Sequence, residues 1–197
     1  MIYLFDRLEQ YTDEAYEAHL RVLPQWRKEK TLRYKKMDDR KRCVLAFVLL
    51  QDALRKEYGI TEVPEFVYNE FGKPLLPDLP IHFSLSHCKN AVACAVSDYN
   101  VGIDVENIVT YNPDVARRVG TASELEALRC SSQIDLDFTA LWTKKEAVAK
   151  FEGMGLLVKM NELEMSSYRI DTVCYEKFIL SVCGADWGHI TILETIS

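Results

Sequence analysis

The chain has 197 residues, 48% of them hydrophobic and 11% aromatic, which is enough to bury one full core or two small ones and is unlike a fibrous or disordered composition. Its formal net charge of −6 argues against a general nucleic-acid binder, because a phosphate backbone rewards a surplus of lysine and arginine. The longest apolar run, VLAFVLL at Val44–Leu50, falls far short of the ~20 residues of a membrane span, and the opening MIYLFDRLEQ meets a charge at Asp6, so neither an anchor nor an export signal is expected.

Along the chain, the first feature is WRKEKTLRYKKMDDRKR, Trp26–Arg42, a basic patch in an acidic protein. Such a patch suits a small polyphosphate ligand or an acidic partner, and it equally suits a solvated helix surface. Asp38 or Asp39 is placed to cap a helix whose apolar positions Cys43, Phe47, Leu50, Leu54 and Tyr58 recur at helical spacing, with Gly59 to end it. TEVPEFVYNEFGKPLLPDLP carries turn chemistry at Phe71-Gly72-Lys73-Pro74, Pro77 and Pro80 and predicts short strands and a loop. IHFSLSHCKNAVACAVS predicts a hairpin, because Ile81, Phe83 and Leu85 alternate with His82, Ser84 and Ser86 and NAVACAV supplies the return. Another strand, VGIDVENI, follows.

The second half predicts a helix near Ser123–Leu128, a longer one from about Phe138 to Glu152, strands around Tyr168–Cys174 and Phe178–Val182, and a closing strand in HITILETI. Strands and helices in both halves give an α+β class with a boundary near Asp98–Val101, dividing the chain into 1–99 and 100–197. A faint likeness between HFSLSHCKNAVACAVS and YEKFILSVCGADWG raises the possibility of an internal repeat with a site between its copies. Cys43, Cys88, Cys94, Cys130, Cys174 and Cys183 form no CxxC pair, which predicts free thiols in a reducing compartment, the cytoplasm.

Three stretches carry chemistry. In GIDVE, Asp104 and Glu106 are two apart, so on a strand both carboxylates project to one face while Val105 goes to the other. In LWTKKEAVAKFEGMGL, Glu146 and Lys150 lie one helical turn apart beside Thr143 and offer a third acid and a cation. Lys145 falls near the centre of the apolar stripe Phe138, Leu141, Trp142, Val148 and Ala149, where it must snorkel or meet an anion. The ordinary alternatives are a solvated strand end and a surface Glu146–Lys150 pair. In SLSHC, Ser86 and His87 point to opposite faces of a strand, which makes a hydrolase triad from this pair improbable, although both could touch one ligand at the strand end. His82, His87, Cys88 and Cys94 lack the usual spacing of zinc ligands.

FGKPLL, FSLSHC, GIDVE and FTALWTKKEAVAKFEGMGL occur here in an order and approximate spacing that resemble the 4′-phosphopantetheinyl transferases, particularly the single-chain Sfp type. The motifs cover the chain from about Trp26 to Leu156, with Cys88 where a second serine is frequent, and the last forty residues resemble the family mainly in length. The resemblance implies two similar α+β halves with coenzyme A between them. It also implies transfer of the phosphopantetheine arm to a serine of an apo acyl or peptidyl carrier protein, with release of adenosine 3′,5′-bisphosphate.

For site residues, the resemblance implies Asp104, Glu106 and Glu146 as ligands of Mg²⁺, with Mn²⁺ as an alternative, Lys150 on the leaving phosphate, and Glu146, directly or through a water, as the base. Glu106 takes that last role if it is not a ligand. Arg27, Lys30, Arg42 and His87 match positions that hold the ribose phosphate, Phe71, Gly72, Lys73 and Pro74 would border the adenine, and Ser86 would orient the nucleotide. A diphosphate would then place charge beside Lys145 and Lys150. YNPDVARRVG, Tyr111–Gly120, resembles the region that receives the carrier, with Val115, Val119, Arg117 and Arg118 suited to an acidic amphipathic helix. A monomer without nucleic-acid or membrane partners is expected. Two other readings are a coenzyme A-binding module without catalysis and a metal-dependent phosphodiesterase.

Overall fold

The computed structural model describes residues 1–155, 159–184 and 190–193, and it is a mixed α+β fold of stacked layers. Strand β1 (Ile2–Phe5) is followed by α1 (Asp13–Val22), α2 (Gln25–Leu32) and α3 (Met37–Tyr58). Then come the short strands β2 (Val67–Tyr68) and β3 (Pro74–Leu75), the hairpin β4 (His82–His87) and β5 (Val92–Ser97), and β6 (Val101–Asn107). Helices α4 (Pro113–Val119), α5 (Ala122–Arg129) and α6 (Ile134–Glu152) precede β7 (Ile170–Cys174), β8 (Phe178–Gly184) and β9 (Ile190–Ile192).

Two sheets lie face to face, one ordered β4-β5-β1-β9 and the other β6-β8-β7. Strand parity fixes what lies between them. Ile2, Leu4, Ala93 and Ala95 from the first sheet meet Val101, Ile103, Val105, Leu180 and Val182 from the second. The opposite face of the first sheet presents Tyr3, Phe5, Cys94 and Val96 to α3. The opposite face of the second sheet packs on α6, where a row of hydroxyls joins them: Thr143 bonds Ser181 at 2.9 Å and Ser181 bonds Thr172 at 3.0 Å. Each sheet thus has one long helix on its outer side. Strand β9 pairs in parallel with β1, so the last described strand returns to the first sheet.

In α3 every residue from Cys43 to Leu50 is buried, so the run VLAFVLL is the core of an enclosed helix. Gly59 closes it at φ 69°, as expected. The expected caps are displaced: Lys36 holds the N-cap position without a side-chain bond, and Asp38 and Asp39 lie in the first turn, where their charge opposes the helix dipole's positive end. Helix α6 begins at Ile134, a turn before the expected Phe138. Asp135 accepts the N–H of Tyr111 at 2.7 Å and Asp137 accepts the hydroxyl of Ser131 at 2.6 Å, and these two acids hold the added turn. Of the closing strand HITILETI, His189 and residues 194–196 fall outside the described residues, as does Leu156 at the end of the α6 motif.

Gly102 sets the approach of α6 to the second sheet. A Cβ there would stand 2.0 Å from the Ala147 carbonyl oxygen and 2.4 Å from the Phe151 nitrogen, so only a glycine lets the helix lie directly on β6. That approach brings Glu146 and Lys150 onto the same cavity as Asp104.

Candidate active site

The site is built where β4, β6 and α6 meet. Strand β4 shares no backbone ladder with β6; its side chains make the connection instead. Ser84 and Ser86 point away from Phe83 and Leu85, and their Oγ atoms accept the N–H groups of Ile103 at 3.0 Å and Val105 at 3.2 Å. The polar half of the FSLSH alternation therefore joins the two sheets. Ser86 also donates to Asp104 Oδ1 at 2.9 Å, and Lys150 Nζ donates to Ser86 Oγ at 2.9 Å and to Asp104 Oδ1 at 2.7 Å.

Asp104 is 3% exposed, and its Oδ2 is buried without a hydrogen-bond partner. Glu106, two residues along the same face, has its carboxyl pushed up to about 7 by burial and then by the charges of Asp104 and Glu146. The Glu146 carboxyl is raised too, by burial and Asp104. His87 is driven the other way, down to about 4, by burial and then by the cations Arg42 and Lys150, so it is neutral near pH 7.

Among the described residues, no three His, Cys, Asp or Glu side chains stand together as a ready cage for a metal ion. The donor set nevertheless fits a hard divalent cation. Three carboxylates line one cavity, one oxygen of Asp104 is unpartnered, and after burial the charge of Asp104 helps to raise the pKa of both Glu106 and Glu146. Mg²⁺ asks for only one or two carboxylates beside phosphate oxygens and water.

The cavity has a volume of about 550 Å³ and is lined by basic and aromatic side chains as well as by these acids. Of the residues predicted from sequence, Arg27, Lys30, Phe71, Gly72, Lys73, Pro74, Ser86 and His87 line it together with Asp104, Glu106, Glu146 and Lys150. Arg42 does not. It pairs with Asp39 and lines a neighbouring cavity with Lys41, Lys89 and Lys177, close enough to His87 to depress its pKa.

Arg27 is buried, with Nη2 on the Cys43 carbonyl at 2.7 Å, its guanidinium over the Phe47 ring at 5.0 Å and Nε unpartnered. Lys30 lies 5.9 Å from the centre of the Tyr68 ring, and burial followed by Arg27 lowers its pKa. No carboxylate pairs with Arg27 or Lys30 in the described ion pairs. Two buried or half-buried cations on the wall of a cavity that a cation could also occupy are matched to a ligand carrying several phosphates.

The Phe71–Pro74 turn is fastened to the end of α6. Asn69 Oδ1 accepts the N–H groups of Phe71 and Lys73, Asn69 Nδ2 donates to the Gly153 carbonyl at 2.8 Å, and Gly72 turns the chain at φ 85°. Lys73 Nζ donates to Asn100 Oδ1 and to the Phe151 carbonyl, both at 3.0 Å. The ammonium thus neutralises the carbonyl end of the helix.

Sequence reasoning overlooked several contributors. Trp26, Phe47, Phe66 and Phe83 form a chain of ring contacts with centroids 5.1–5.8 Å apart along the cavity wall. Tyr34, Tyr68 and Trp142 line it as well. Asn69 carried a usable signal, since asparagine commonly closes a turn through its own side chain, and Ser84 shared the parity of Ser86.

Two expectations are corrected. Lys145 is fully buried, but its anion is the Glu124 carboxylate at 2.6 Å, and its other donors meet the carbonyls of Met160 at 2.6 Å and Leu163 at 3.2 Å. It does not line the cavity, so no diphosphate lies beside it. The valines of YNPDVARRVG also face inward: Val119 is 4% exposed and packs with Ala116, Leu128, Phe138 and Leu141, with Val115 against them. Of the four residues expected to receive the carrier, Arg117 and Arg118 are the exposed ones, Arg117 paired with Asp114.

Residues 100–182, which span β6 to most of β8, match the model of the 4′-phosphopantetheinyl transferase superfamily. AcpT of Salmonella typhimurium is 30% identical over 134 residues, 64% of this chain and 69% of that protein. The chain belongs to the 4′-phosphopantetheinyl transferase family. Sfp of Bacillus subtilis (strain 168), another member, is 28% identical over 169 residues, 84% of this chain and 75% of its own length. Gsp of Aneurinibacillus migulanus is 33% identical over 150 residues and is spanned for 62% of its length. The family match begins at Asn100, so it covers both the acids of β6 and the glutamate and lysine of α6.

Proposed function

We propose that this chain transfers the 4′-phosphopantetheine group of coenzyme A to a serine hydroxyl of an apo acyl or peptidyl carrier protein and releases adenosine 3′,5′-bisphosphate. The observation that carries the reading is the meeting of Asp104 and Glu106 from β6 with Glu146 and Lys150 from α6 on one cavity that Arg27 and Lys30 also line. Membership of the family supports the same class of enzyme.

In this reading Arg27, Lys30 and, from its neighbouring position, Arg42 hold the ribose phosphate, and the Phe71–Pro74 turn borders the base. Asp104, Glu106 and Glu146 would hold Mg²⁺ or Mn²⁺, which supplies positive charge against the diphosphate. The serine oxygen forms a bond to the phosphorus that bears the pantetheine arm, and the bond from that phosphorus to the bridging oxygen breaks. Negative charge builds on the departing nucleotide phosphate, where Lys150 stabilises it. The serine proton passes to Glu146, or to Glu106 where the cation leaves that carboxylate free; both have raised pKa values, as a base working near neutral pH requires. His87 is neutral in the free protein, and an arriving anion would raise its pKa from that low value, since a nearby negative charge favours the protonated ring.

The cavity takes side chains from both the residues before 99 and those after it, which supports action as a monomer. A cytoplasmic location agrees with free cysteines and with the absence, among the described residues, of a helix long and apolar enough to cross a membrane. The deciding experiment is intact-mass analysis of an apo carrier incubated with the chain, coenzyme A and Mg²⁺. A mass gain of one phosphopantetheine group, lost in Asp104→Ala and Glu146→Gln, is the expected result. Coenzyme A binding without that gain would make the chain a binding module, and nucleotide release without any carrier would make it a phosphodiesterase.

A further inference from the structure

Ser84 and Ser86 are two residues apart on β4, face the same way, are both buried, and both accept a backbone N–H of β6. They differ in one respect: only Ser86 touches Asp104 and Lys150. A hydroxyl offers one donor and two acceptor positions, and those of Ser86 are filled by Asp104 Oδ1, Val105 N–H and the Lys150 ammonium. No capacity remains for a nucleotide.

We propose that Ser86 is a positioning residue that fixes the Asp104 carboxylate and Lys150 relative to each other, so that Asp104 presents Oδ2 to the divalent cation while Lys150 stays above the phosphate path. This assigns Ser86 to the acidic centre and not to nucleotide orientation, and it rests on the transferase reading above. Oδ1 is held from two directions by Ser86 and Lys150, which sets the rotation of the carboxyl group. Oδ2 is buried, free of protein donors and therefore available as a ligand. Val105 N–H keeps the serine hydroxyl from rotating, so the strand backbone itself orients the acid. Partners behind a metal-binding carboxylate commonly govern metal affinity by ~10–100-fold.

The test is Mn²⁺ binding, followed by electron paramagnetic resonance on protein saturated with coenzyme A, beside calorimetric binding of adenosine 3′,5′-bisphosphate without metal. Ser86→Ala changes no charge and is expected to weaken Mn²⁺ by ~10–100-fold while leaving the nucleotide affinity unchanged. Ser84→Ala removes the same kind of bond between β4 and β6 and is expected to lower the melting temperature as much, with Mn²⁺ affinity unchanged. Ser86→Cys, whose thiol is a weak donor and acceptor, should shift Mn²⁺ in the same direction if the alanine variant does not fold. Unchanged Mn²⁺ affinity in the Ser86 variants, equal weakening in Ser84→Ala, or a loss confined to nucleotide affinity would each overturn the assignment. If the parent converts apo carrier to holo carrier while any of these is seen, only this inference fails; if the parent neither binds Mn²⁺ nor transfers, the functional reading fails with it.

Discussion

Helix α6 carries two lysines that meet carboxylates, and the contrast between them separates architecture from chemistry. Around Lys145 every polar group is matched: one ammonium has three acceptors, and Glu124 Oε2 also receives the Thr121 N–H at 2.7 Å in a capping box. The cluster ties α5 and the segment after α6 to the helix and leaves nothing over. Around Lys150 the matching is incomplete: one oxygen of Asp104 is unpartnered, and the carboxyls of Glu106 and Glu146 are raised. Saturation marks a buried ion pair that holds the fold; a deficit on the wall of a cavity marks one that waits for a ligand.

The strongest way to break this contrast is to remove each ammonium. Lys150→Met should lower kcat for carrier modification by ~10²–10³-fold, the scale for losing one preorganised stabiliser of a developing charge. Lys145→Met should leave kcat per folded molecule unchanged but cost about 3 kcal/mol of stability, because Glu124 and two carbonyls lose a buried partner. Urea unfolding together with a mass-based transfer assay separates the two effects. Equal losses of activity, or equal losses of stability, would erase the distinction.

A second comparison uses pH. The Glu106 carboxyl is raised from the ordinary 4.5 to about 7, so between those values the folded protein binds a proton that the unfolded chain has released. Its contribution to stability therefore falls as pH rises through that window. With a chelator present, the melting temperature of Glu106→Gln relative to the parent should climb as pH increases from 4.5 to about 7 and then level off. Taking the difference removes His87, which acts in the opposite sense: its pKa is lowered from 6.5 to about 4, so acidification through that range destabilises the fold. Cation binding should tighten over the same rise in pH, because the protonated acid is no ligand. A flat difference curve would remove Glu106 from the cluster.

The smallest effect is expected on the surface. Arg117→Glu with Arg118→Glu should raise the apparent KM for carrier severalfold and leave coenzyme A affinity alone, since both side chains are exposed and far less constrained than those of the cavity. An unchanged KM in steady-state assays at low salt would take them off the docking surface.

Much of the site was legible in the chain. Period-two parity placed Asp104 and Glu106 on one face of a strand, and helical spacing placed Glu146 and Lys150 one turn apart. Those are local relations, fixed by backbone geometry. What could not be read was which partner each charge would find. Lys145 was seen to need an anion, but Glu124 is far from it in sequence; for Lys150 the ordinary alternative was a surface pair with Glu146, and the structure gives it Asp104 on the facing strand β6. The alternation of Ser84 and Ser86 with Phe83 and Leu85 gave their shared parity, and only the structure showed that the hydroxyls face another strand's backbone.

By itself the sequence determined the α+β class, the hairpin, the two long helices, the paired acids and the family they resemble, because periodicity, turn residues and motif spacing act over a few residues at a time. The tertiary structure decided that the first sheet and β6 are joined by serine hydroxyls, that Gly102 admits α6 onto the strand, and that one lysine is sealed inside while the other reaches the cavity. Those outcomes depend on which surfaces meet when apolar faces are buried, and the short-range pattern of a single chain does not encode the order in which its layers stack.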